Sequence, residues 1–270
     1  MNVGIAGGGN NNGPLQKSAE ELFKQGFTFL DRVFNSKQLE KVRNYIKKQF
    51  PEYCSIVAAE QCTVATRVGN GRYIFNLPLR GPLSDSELFA NPKILDVLKS
   101  ELVLGPDFVI EAFGLVNSFP GAKPQHPHRD GLTLFGGPLV RLLPTHAVTV
   151  AIPLVDMDDR NGMTAFWPNS HRHEEVNPSD DMWSAQPVRI GSCGIWDFRT
   201  YHRGLANRSR NTRPLIFITY ARSWFRDVPN YKKNKDLLRL NFDKDFVDSL
   251  TDDNLRLFSH VLCENGFRPS

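Results

Sequence analysis

The sequence contains no run of eighteen or more apolar residues, so nothing in it has the length and hydropathy of a bilayer-spanning helix. Its start, Met1-Asn2-Val3-Gly4, lacks a basic segment leading into an apolar core, and no secretory signal is expected. Cysteine is scarce. The four present, Cys54, Cys62, Cys193 and Cys263, show no Cys-x-x-Cys spacing and are too few in 270 residues for a disulfide framework, which points to reduced thiols, mostly in the core. Dense basic segments are missing as well. The net charge is only +4, and the one small patch, Lys232-Lys233-Asn234-Lys235, is soon followed by Asp243, Asp245, Asp248, Asp252 and Asp253, whereas nucleic-acid binding leaves a heavier cationic footprint. These absences predict a soluble, cytoplasmic protein with neither membrane nor nucleic acid as partner.

A hydrophobic content of 40% suffices for a sizeable core, and no internal repeat or second linker is visible, so one domain over 18–270 is expected behind a disordered tail, 1–17, rich in Gly and Asn. Ser18-Ala19-Glu20-Glu21 reads as a capping box opening a short helix to about Gln25, followed by strand-like residues 26–30. Asn35-Ser36-Lys37-Gln38 repeats the capping signal before Leu39, Val42, Tyr45 and Ile46, the apolar stripe of a second helix. Residues 93–103 read as a third. The pattern then changes to strands at 107–118, 146–155, 162–167, 187–198 and 213–225, rich in Val, Ile, Phe and Thr. Helices followed by many strands predict an α+β domain, mainly β, built on an antiparallel sheet.

The chemistry concentrates in His128-Arg129-Asp130, His202 and Arg213. In an extended strand residues i and i+2 share a side, so His128 and Asp130 can grip one ion while Arg129 faces away. With His202 as the third ligand, two imidazoles and a carboxylate form the set that suits non-haem Fe(II) oxygenases, with three coordination positions left for chemistry. A lone His-x-Asp is a weak signal. Its context is stronger: the segment from Gly194 to Gly204 contains His202, and Arg213 opens the apolar run Pro214-Leu215-Ile216-Phe217-Ile218 eleven positions later.

These motifs resemble the phytanoyl-CoA dioxygenase family of Fe(II)/2-oxoglutarate-dependent oxygenases, over about residues 18–226. Asn161-Gly162 through Pro168-Asn169-Ser170-His171 is similar to the family's Asn-Gly…Pro-Gly-Ser-His segment, with Asn169 in place of glycine; Asn tolerates positive φ, so the turn is expected to survive. The resemblance implies a double-stranded β-helix (jelly roll, cupin-like) with flanking helices, Fe(II) held by His128, Asp130 and His202, 2-oxoglutarate and dioxygen as co-substrates, and Arg213 on the far carboxylate of 2-oxoglutarate. It also implies oxidation of a C–H bond of a small-molecule metabolite, with release of succinate and CO2. Halogenating relatives carry Gly or Ala where Asp130 stands, so an oxygenase outcome is implied over chlorination.

Alternatives remain open at several positions. His126, two before His128, permits a His126/His128 metal pair with Asp130 behind it; otherwise His126 and Gln125 are candidates for contact with co-substrate or substrate. His171 and His173 form another i, i+2 pair, read as a structural turn. His202 could instead be a core histidine bonded to Asp197 or Asn207. Residues 131–141, apolar and glycine-flanked, read equally as a lid or a plain connection. Trp167, Trp196, Phe198, Tyr201, Tyr220 and Trp224 are core candidates with a substrate role open to any one. A non-catalytic jelly-roll binding protein and a nucleic-acid-modifying or protein-modifying dioxygenase are the competing functions, and an apolar face on the 36–49 or 251–262 helix allows a homodimer.

Overall fold

Central strands buried on both faces organise the molecule. The computed structural model describes residues 13–131, 133–174, 179, 182–232 and 239–264. Its strands are β1 Phe27–Leu30, β2 Ala65–Gly69, β3 Arg72–Asn76, β4 Phe108–Ser118, β5 Ala147–Pro153, β6 Thr164–Phe166, β7 Ser184–Ala185, β8 Cys193–Asp197, β9 His202–Gly204 and β10 Arg213–Arg222. All their pairings are antiparallel, in a seven-stranded sheet ordered β1-β8-β5-β10-β4-β3-β2 and a three-stranded sheet ordered β7-β6-β9. From β7 to β10 successive strands alternate between the two sheets, and the expected jelly roll is the fold.

The two faces of the large sheet do different work. On β10, Ile216, Ile218 and Tyr220 join the main core, where Leu22 of helix α1 (Pro14–Gln25) and Leu39, Val42 and Ile46 of helix α2 (Ser36–Gln49) cover the outer face. The alternate residues Arg213, Leu215, Phe217 and Thr219 point the other way, into a cavity between the sheets. α2 begins as its sequence indicates, with the Asn35 side chain accepting from Lys37 N.

Several expectations need correction. α1 starts at Pro14, not at Ser18: a proline at the first position needs no N–H partner, and Ser18 lies inside the helix with its hydroxyl donating to Pro14 O (3.2 Å). Residues 14–17 of the expected tail are thus helical; 1–12 lie outside the described residues. The third helix covers only Pro92–Leu98, because the chain turns back through Gly105 (φ +71°), whose N–H donates to Ser100 O. The 187–198 strand shortens to β8, since Gly191 (φ +98°) makes a turn whose carbonyl accepts from Val33 N and Phe34 N. Of the thiols, Cys193 is buried but Cys54 and Cys62 only half-buried. The hairpin of β2 and β3 was not anticipated, although Asn70-Gly71 marks its turn. Residues 233–235 of the small basic patch lie outside the described residues. Among those described, no helix is long and apolar enough to cross a membrane.

Candidate active site

His202 is delivered by a rigid turn between β8 and β9. Asp197, fully buried, accepts from Arg199 Nη2 (2.8 Å), Arg199 Nε (2.9 Å) and Thr145 Oγ1 (2.8 Å), while the Thr200 hydroxyl donates to Gly26 O. Asp197 is thereby occupied with Arg199, and Asn207 with the Ser118 and Asn211 carbonyls, so neither binds the His202 ring. His128 is not on a regular strand. It forms an isolated antiparallel bridge with His202, each N–H donating to the other's carbonyl (3.0 and 2.9 Å), which brings the two ring centroids to 4.4 Å.

His128, Asp130 and His202 form a cluster in which one ligand-type atom from each lies within 4.8 Å of the others. His128 Nδ1 lies 3.0 Å from His126 O and His202 Nδ1 lies 3.0 Å from Thr200 O. A carbonyl only accepts, so each Nδ1 carries a proton, and in the neutral form of each ring it is Nε2 that offers a lone pair. Asp130 Oδ2 accepts from Thr149 Oγ1 (2.6 Å) and Trp196 Nε1 (2.7 Å), which leaves Oδ1 facing His202 Nε2 at 3.4 Å. Burial, helped by the neighbouring His202, depresses His128 to about 4 and keeps it neutral. For His202 burial pushes downward too, but the Asp130 carboxylate outweighs it and raises the ring. Asp130 is lowered despite burial because both imidazoles and Thr149 favour its anion. Two neutral-capable nitrogens and one carboxylate oxygen can hold a divalent ion.

The same cavity, about 630 Å³, holds Arg213. Its guanidinium is buried with no carboxylate among the described residues; the Met157 thioether at 3.8 Å is its hydrogen-bond partner, and Nε has none. Burial, with repulsion from Arg72, pulls it down to about 9. A buried cation in this state fits an incoming carboxylate.

The family model for phytanoyl-CoA dioxygenase (PhyH) matches residues 23–215, a span containing the His-Asp-His cluster and Arg213. The chain belongs to the phytanoyl-CoA dioxygenase family. This PhyH-family chain is accordingly a non-haem Fe(II)/2-oxoglutarate-dependent enzyme. Among solved structures it is similar to the epimerase SnoN in complex with Fe3+, α-ketoglutarate and nogalamycin RO, with TM-score 0.60 and 17% identity over 89% of this chain and 96% of that one. HygX from Streptomyces hygroscopicus with nickel and 2-oxoglutarate bound gives TM-score 0.61 and 14% identity over 84% and 96% of the two chains. The carbocyclase SnoK from nogalamycin biosynthesis gives TM-score 0.60 and 18% identity over 83% and 91%. At these identities the likeness is one of fold.

The PhyH-family Pro-x-Ser-His turn keeps its shape here, with Asn169 in the left-handed region at φ +64°. His171 of that turn is buried, its Nε2 3.2 Å from Phe23 O, and His173 is exposed; neither joins the metal-type cluster. His126 lines the cavity, exposed, and is also outside the cluster. Gln125 is engaged at both ends of its amide, Nε2 donating to Val68 O and Oε1 accepting from Gly204 N. Arg129 turns away from the cluster, donating to the Ser170, His173 and Glu174 carbonyls and lying over Tyr201. Trp224 is 60% exposed and so not core, whereas Tyr220 and Phe198 are buried.

Sequence reasoning missed three groups. Arg72 is a second buried cation in the cavity wall, brought down to about 10 by burial; it donates to Gly204 O (3.0 Å) and Leu205 O (2.8 Å) and so ties β3 to the strand bearing His202. The Asn70-Gly71 turn and the alternation of Arg72, Ile74 and Asn76 were the available signals. Thr149 gave none beyond being one polar residue in an apolar strand. Asn230 donates to Asp130 O and to Asp227 Oδ2 (both 2.7 Å), and Asp227 N donates to Glu111 Oε1. Glu111 occupies a β-bulge where Ala112 pairs with Thr219 but Ile110 with Tyr220, a device that re-aims a side chain and that no residue type announces.

Proposed function

We propose that this dioxygenase oxidises, by hydroxylation in the first instance, an unactivated C–H bond of a small-molecule metabolite. The observation that carries the reading is the convergence, in one cavity, of a two-histidine, one-carboxylate cluster and a buried guanidinium without a carboxylate. In this reading His128 Nε2, Asp130 Oδ1 and His202 Nε2 hold Fe(II), and Arg213 takes the far carboxylate of 2-oxoglutarate. When bound there, iron with keto acid and dioxygen would supply the oxidising power for breaking the C–H bond, with succinate and CO2 as co-products.

The chain's own residues do the rest. The carbonyls of His126 and Thr200 lock the tautomer of each imidazole, and Thr149 with Trp196 fixes which carboxylate oxygen faces the metal. Phe113, Phe198 and Phe217 line the cavity and exclude water from the reacting bond. His126 is a contact for co-substrate or substrate at the rim. Gly137 N donates to the Glu174 carboxylate (2.6 Å), which anchors the turn at Gly137–Arg141 beside the site. The cavity is of a size that takes metabolites. Similar structures hold such molecules, nogalamycin RO in SnoN and hygromycin B in HygX, which favours a natural-product substrate over a macromolecule.

The test is succinate formation and dioxygen consumption by anaerobically purified, Fe(II)-loaded protein with 2-oxoglutarate and a metabolite panel. We expect turnover that needs both iron and 2-oxoglutarate and that disappears in His202→Ala. Failure of the loaded protein to bind 2-oxoglutarate would refute the reading.

A further inference from the structure

A second concave site, of about 800 Å³, lies on the outer side of the β9–β10 connection. It shares no lining residue with the active cavity: Pro214 lines the one and Arg213 the other, as successive residues on a strand must. Five cationic side chains converge on it against two carboxylates, Asp158 and Asp159. Asp158 is already paired with Arg160 at 3.0 Å. Arg43, Lys47, Arg208 and Arg210 have no carboxylate at ion-pair distance among the described residues. Arg43 and Lys47 are one helical turn apart on α2, a like-charge spacing that costs helix stability. Arg43 Nε, moreover, is buried without a hydrogen-bond partner.

The frame that holds these charges is rigid. Fully buried Asn207 donates to Ser118 O and Asn211 O and accepts from Ser209 N and Oγ, fixing the loop that displays Arg208 and Arg210. Arg208 N donates to Arg160 O (2.7 Å), joining that loop to the 158–161 turn, which Asn161 closes through hydrogen bonds with Asp158 N and Asp156 O. Guanidinium forks match phosphate oxygens with paired hydrogen bonds, and an anion would relieve the like-charge crowding. We infer that this pocket is a binding site for a phosphate-bearing small anion, of diphosphate size, separate from the iron site.

The test is calorimetric titration of the metal-stripped full chain with inorganic pyrophosphate and, separately, with ADP, so that it is independent of oxygenase activity. We expect saturable binding that weakens steeply with salt, persists in Arg213→Ala, and falls roughly tenfold or more in Arg208→Glu/Arg210→Glu, with a smaller loss in Arg208→Gln/Arg210→Gln. Circular dichroism checks that the variants fold; both exposed positions tolerate change. ADP binding more tightly than pyrophosphate would mark a nucleotide-type ligand, and equal binding free phosphate chemistry. Absence of binding by either probe, loss of binding in Arg213→Ala, or indifference to the charge reversals would overturn the assignment.

Discussion

At the scale of single residues, the site trades stability for chemistry. Arg213 is a buried cation with a thioether for company, an arrangement that costs the metal-free protein free energy. Replacing it with Met should leave thermal stability of the metal-free form unchanged or raise it by about 1–4 kcal/mol, while abolishing 2-oxoglutarate binding; calorimetry with and without the keto acid reads both. His146 carries a different cost. It is fully buried against Phe225 (ring centroids 4.6 Å), neither ring nitrogen has a partner, and burial depresses it to about 4. The unfolded chain takes up this proton near pH 6.5 and the folded chain only near 4, so stability is full above the unfolded value and is lost as pH falls between the two. The loss reaches at most about 3 kcal/mol. Urea unfolding at pH 7 and pH 5 should show that decline, and His146→Leu should make it shallower, with the depressed His128 and His171 rings keeping part of the slope.

At the scale of elements, the turn between β8 and β9 is the joint on which the third ligand hangs. Asp197→Ala would strand buried Arg199 and leave Thr145 Oγ1 without its acceptor, with an expected cost of about 3–5 kcal/mol in urea unfolding and weaker metal binding because the His202 strand loosens. Elements of this kind were unevenly legible. β5 and β10 announced themselves as continuous β-branched runs, as strands covered on both faces do. The β2–β3 hairpin did not, since β2 is nowhere fully buried and carries no apolar alternation, yet it supplies Arg72 to the site. The α1 start was misread because a serine and a glutamate at capping spacing also occur inside helices, and the proline four residues earlier was the better signal.

At the scale of the whole molecule, the fold turns distant sequence into one constellation. His128 and Asp130 were legible as a pair from their spacing, and Arg213 through the family resemblance, by its distance from His202. That His128 would meet His202 through a single backbone bridge rather than a strand was not, because it depends on the pairing of β6 with β9 across the smaller sheet. The polar supports of the site, Thr149, Asn230 and bulged Glu111, come from three segments whose sequences look ordinary until the sheets close. The central claim is that the cluster and Arg213 act as one site for a metal-bound keto acid. Anaerobic calorimetric titration of 2-oxoglutarate into Fe(II)-loaded protein, metal-free protein, His202→Ala and Arg213→Met tests it most directly. We expect stoichiometric binding only to the iron-loaded native chain; binding of equal strength without iron, or binding indifferent to Arg213, would contradict it.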